Sequence, residues 1–167
     1  MERDIHWKIW PTLTFIVVIT VGYSARQAIG TVYGAAEAVQ LLEALSRAGL
    51  YLGSAVATAS ATTLALMLTL IGMMRRADTD FDDITYRRVM LIAGLATAAL
   101  MSSLVVLLAF VFPMGEFDAL PGGWYQTLYD VLFAACVLMV ALLATTVTVT
   151  YMTVRHVIAH ITPGEAV

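Results

Sequence analysis

Four apolar runs dominate the chain: Ile9–Tyr33, Leu50–Met74, Val89–Phe112 and Tyr125–Val154. Each is longer than the roughly 20 residues that a helix needs to cross the ~30 Å hydrocarbon core of a bilayer. No water reaches that core to satisfy backbone N–H and C=O groups, so a segment crossing it must bond its own backbone as a helix or close into a barrel. Barrel strands alternate polar and apolar residues in segments of about ten, and these runs do neither. The sequence therefore predicts an all-α integral membrane bundle of four transmembrane helices. Composition agrees, with 13% of residues charged against about 25% in soluble domains. The polar stretches between runs are only about a dozen residues long, so residues 1–167 are expected to form one transmembrane domain without a soluble catalytic appendage.

Ala36-Glu37-Ala38 has the small-x-small form of a signal-cleavage site, but the apolar run before it far exceeds a signal peptide's 7–15-residue core. A retained anchor helix is expected instead. Pro11 suits a helix's first turn, and Trp7 and Trp10 suit a membrane interface, so the first span is expected to start there. Between the first two runs, Ala38, Leu41, Leu42, Leu45 and Ala48 share one helical face, with Glu37, Gln40, Glu43 and Arg47 elsewhere. This spacing predicts an amphipathic helical segment between helices 1 and 2. It could lie along the surface or extend the second span. Asp82 or Asp83 can cap the third helix, Pro113 and Gly115 can stop it, and the fourth is expected to run past the membrane to Pro163-Gly164.

Arg3, Lys8, Arg75, Arg76, Arg87, Arg88 and Arg155 fall on one side of the four runs, Arg26 and Arg47 on the other. The positive excess belongs in the cytoplasm. Both termini and the 75–88 loop are therefore expected inside and the 114–124 loop outside, in the inner (cytoplasmic) membrane of a bacterial cell.

Arg26 is the only basic residue within the four runs and Asp130 the only acidic one. Arg26 lies sixteen residues, or about 24 Å of helix, beyond Trp10, and Asp130 lies six residues, about 9 Å, below Trp124. The two depths agree. An intramembrane ion pair is the least costly way to hold both charges and would set the first and fourth helices side by side. Without a pair, Arg26 would snorkel to the headgroups while Asp130 faced water.

Gly49, Gly53, Ala57 and Ala61 recur every four residues on the second span, and Gly30 and Gly34 form another small-xxx-small pair. Such stripes let spanning helices approach closely and are read here as packing seams. Gly94, Ala98 and Ser102 continue the theme on the third span. Beside the seam of span two run Ser54, Thr58 and Thr62, with Thr69 two turns later, hydroxyls that could line a wet path or bond back to their own helix. Thr146, Thr150 and Thr153 share a face of the fourth.

His156 and His160, four apart, could approach a transition metal together with His6, but no carboxylate or thiolate completes the set and no metal site is expected. Two histidines on one helix also cannot supply opposed haem ligands. "DTDFDD" at 78–83 places Asp83 where a calcium loop needs Gly. Cys136 has no intrachain partner. No nucleophile–base pair, phosphate-cradling loop or basic run is present, so neither an enzyme, a cofactor nor a nucleic-acid partner is expected.

Two functional classes fit. One is an oligomeric channel or small-solute pore, which needs several copies because four helices fill their own centre. The other is a non-catalytic accessory or assembly subunit docked on other membrane proteins. The expected partners are the lipid bilayer and either further copies of the chain or other membrane subunits. The topology is testable in whole cells: with Cys136→Ala as background, a cysteine at Asp118 should react with an impermeant reagent and one at Asp80 should not. Labelling at Asp80 would reverse the orientation.

Overall fold

The computed structural model describes residues 2–32, 38–76, 83–111 and 122–161, all helical: α1 (Glu2–Val32), α2 (Ala38–Arg76), α3 (Asp83–Val111) and α4 (Gly122–Ile161). All four are long and apolar enough to span a membrane. At about 1.5 Å per residue, 39-residue α2 and 40-residue α4 reach about 60 Å, well beyond a bilayer core.

One expected boundary shifts, and one open alternative is decided. Helix α1 begins at Glu2, so Pro11 lies inside the helix and not in its first turn; a spanning helix tolerates an internal proline where neighbouring groups take up the freed carbonyl. Of the two courses open to the segment after residue 37, the structure shows the extension of the second span, because α2 runs unbroken from Ala38. A lone Gly49 is too weak a breaker to end a helix whose neighbours are Ala and Leu. In this first part of α2, Leu42 is buried while Glu43 and Arg47 are exposed and paired at 3.1 Å.

Helices α2, α3 and α4 pack against one another, whereas among the described residues α1 touches α4 alone. A spacing of three and four residues builds the core. On α3 it runs Val89, Ile92, Ala96, Ala99, Ser103, Val106 and Phe110, all buried, the 3.5-residue repeat that seats side chains between those of a neighbouring helix. Helix α4 carries the same repeat in Tyr129, Leu132, Cys136 and Met139, resumed at Thr146 and Thr153. A second buried stripe on α4, formed by Ala141, Thr145 and Val149, follows from its contacts with all three other helices. The buried threonine hydroxyls of α4 cost little because each bonds its own helix: Thr145 donates to the Ala141 carbonyl at 2.7 Å, Thr146 to Leu142 and Thr153 to Val149, both at 2.8 Å. The threonine face of α4 is thus filled into the core.

Glycines mark the close approaches. Phe110 of α3 lies over Gly49, and a Cβ on Gly53 would sit 3.0 Å from Leu107. These contacts make α2 and α3 antiparallel. On α1, a Cβ on Gly22 would lie 2.5 Å from Val137 of α4, while Gly94 on α3 has open space around it. Val137 is stiff because a β-branched residue keeps one χ1 rotamer in a helix. Gly22→Ala is therefore expected to destabilise the fold by about 1–3 kcal/mol through overpacking. Gly94→Ala should gain up to about 1 kcal/mol of helix propensity. Unfolding in mixed micelles measures both; a gain for Gly22→Ala would show that the α1–α4 seam has slack.

Candidate functional site

The α1–α4 seam carries three layers. At one end Arg26 donates from Nε to Asp130 Oδ1 at 2.9 Å and from Nη2 to Oδ2, a bidentate ion pair with both side chains about one-third exposed, 35% and 33%. One turn along α1, Gly22 admits Val137. Farther still, the hydroxyl oxygens of Thr14 and Thr148 approach to 3.3 Å. The glycine is what lets the charges meet, since a larger residue at 22 would hold the two helices apart one turn from the pair. On the lipid side of α1, Gln27 donates to Tyr23 Oη at 3.0 Å. Behind Asp130, the buried Tyr129 ring stacks on Phe133, with centroids 5.9 Å apart.

The structure thus brings Arg26 and Asp130 together. Gly49 and Gly53 are buried against α3, and Ala57 is half-buried. Ala61 lies outside this seam, exposed: residues four apart advance by about 40° per step around a 3.6-residue helix, so the stripe rotates out of the contact. Val56 and Ser60 continue the buried face instead. Gly30 and Gly34 lie outside the residues whose packing is described, as do the side chains of His6, His156 and His160.

Ser54, Thr58, Thr62 and Thr69 are all exposed on the outer side of α2, turned away from its buried face. Thr58 donates to the Ser54 carbonyl at 2.9 Å, Thr62 to Thr58 at 2.8 Å and Thr69 to Ala65 at 2.9 Å. They line no path inside one protomer. The same face carries Ala61, Ala65 and Gly72, and nothing within 4 Å would meet a Cβ at Gly72. Gln40, Glu43 and Arg47 share this face near the helix start, but the exposed Tyr51 separates them from the small-residue stripe that runs from Ser54 to Gly72.

Residue patterns did not point to one further feature. Among the described residues α1 and α2 do not touch, and an apolar groove of about 440 Å³ opens between them with α4 as its floor. Val18 and Gly22, Leu45 and Ala48, and Phe133 and Val140 line it. Its only signal in the sequence is the small pair Gly22 and Ala48, which no spacing rule links across two helices.

The fold defines a small four-helix membrane protein. No family model, curated protein or solved structure matches the chain. The ion pair can be tested alone: Arg26→Gln and Asp130→Asn should each lower the melting temperature in detergent, and together they should cost less than the sum of the single losses. Additive losses would show that the two side chains act independently.

Proposed function

We propose that the protein is a non-catalytic, pore-forming subunit in which several copies surround a path lined by the hydroxyl face of α2. The observation that carries this reading is the contrast between outward faces. Helix α3 shows a mostly bulky aliphatic surface suited to lipid, with Met90, Leu91, Met101, Leu104, Val105 and Leu108 exposed and only Gly94, Thr97 and Ala98 breaking it. The stripe Ser54, Thr58, Ala61, Thr62, Ala65, Thr69 and Gly72 of α2 is small and weakly polar, although it points out of the bundle just as far. Small residues let helices of neighbouring copies approach closely. Threonine hydroxyls that give their hydrogen to their own backbone keep oxygen lone pairs directed outward, which suits water and small ions. Glu43 and Arg47 would stand at one mouth. In this reading the protein resides in a bacterial cytoplasmic membrane with both termini inside.

A second reading, an accessory subunit, draws on Ala61, Ala65 and the open space at Gly72, which would equally receive a helix of a different protein. Flux and mass separate the two. Thr58→Val and Thr62→Val should leave a homo-oligomer intact in detergent while changing ion flux into proteoliposomes at least several-fold, and Ala61→Leu should dissociate it. Gly53 is unsuitable for this purpose, because its replacement would strike Leu107 within the protomer. A monomer without flux that co-purifies with other membrane subunits would favour the accessory role.

A further inference from the structure

We propose that the groove between α1 and α2, together with the Arg26–Asp130 pair at its end, binds one phospholipid bearing a primary ammonium headgroup, of the phosphoethanolamine type. Depth supports a lipid. Arg26 lies seven residues before the end of the apolar run Ile9–Tyr33, and Asp130 five residues after the start of Tyr125–Val154, so both charges fall toward the same edge of the bilayer. From that edge the groove descends toward the bilayer centre: Gly22 is one helical turn below Arg26 and Val18 two, while Phe133 and Val140 follow Asp130 down α4. A charged pair one helical turn beyond the groove's Gly22 end and an apolar channel beneath it match the two parts of an amphiphile.

Access is lateral. Helices α1 and α2 make no contact among the described residues, so an acyl chain can enter from the bilayer without crossing a polar barrier.

The headgroup preference follows from the unused valences of the ion pair. A guanidinium has five N–H donors and a carboxylate about four acceptor sites, of which the bidentate contact uses two on each side. With both groups about one-third exposed, donors and acceptors remain side by side and the pair is neutral overall. Its complement is a group that accepts and donates at adjacent positions without net charge. A phosphate facing Arg26 and an ammonium facing Asp130 meet that requirement. Choline has no N–H to give, and a glycerol headgroup leaves the lipid anionic. The groove uses a face of α2 different from the hydroxyl stripe, so this inference stands apart from the pore reading.

Native mass spectrometry of the full-length protein, with phospholipids of identical acyl chains carrying ethanolamine, choline or glycerol headgroups, tests the assignment. The ethanolamine lipid should be retained about tenfold more tightly than the choline lipid, a difference well within reach of one or two charge-assisted hydrogen bonds. Asp130→Asn should erase that preference, and Ala48→Phe, which fills the groove at an exposed position, should remove binding of all three lipids while leaving the ion pair intact. If Asp130→Asn does not fold, the headgroup series and Ala48→Phe still decide. Equal retention of the three lipids would overturn the proposal, as would undiminished binding to Ala48→Phe. So would a dimer that Ala48→Phe abolishes with no headgroup preference, which would make a second copy the occupant.

Discussion

Lipid tails are as apolar as leucine, so burying aliphatic side chains between spanning helices gains little, and association must rest on close packing and the few polar contacts available. Everything in this bundle depends on how α4 meets that constraint. It is the helix that touches all three others, and it does so with two buried stripes and a third line, Asp130, Val137 and Thr148, turned to α1. Its threonines suit the task. They have nearly the volume of valine, they bond their own backbone, and they leave no buried donor for a neighbour to satisfy.

Helix α1 depends on that third line entirely. It contributes no buried residue between Ile9 and Ala28, so shape alone holds it weakly, and the ion pair, the Gly22–Val137 approach and the Thr14–Thr148 contact supply what aliphatic packing does not. The arrangement leaves α1 standing off from α2 and α3. The groove is the direct consequence: two helices attached to a third, and not meeting each other among the described residues, leave a channel between them.

The four helices were legible in the sequence because length and hydropathy decide them, and the Arg26–Asp130 pair because two opposite charges at one depth leave few alternatives. The direction in which the α2 stripes point was harder to read. Counting every fourth residue put Ala61 with Gly49 and Gly53, but a straight helix rotates that series by about 40° per step, and the buried face follows the mixed spacing Gly49, Gly53, Val56, Ser60. Pro11 was read as a start signal because soluble-protein rules place proline in a first turn, whereas the charged residues before it simply continue the helix. The groove had no signature beyond the small pair Gly22 and Ala48, since it opens where, among the described residues, α1 and α2 do not meet.

The angular arrangement of α2 shows why its faces can serve different surroundings. Gly49, Val56 and Ser60 lie on the inner face; Leu45, Ala48 and Leu52 lie to one side against the groove; Ser54, Thr58, Ala65 and Thr69 lie opposite the core. Each set recurs every three to four residues, so none interrupts another along the helix. A substitution that changes residue size on one face therefore leaves the periodicity of the others untouched. Gly53, Ala48 and Ala61 stand within 14 positions of one another, yet enlarging them should disturb three separate things: the contact with α3, the volume of the groove, and whatever covers the outer face. That independence follows from helical geometry, and it is why the outer stripe can be small and hydroxylated without weakening the bundle behind it.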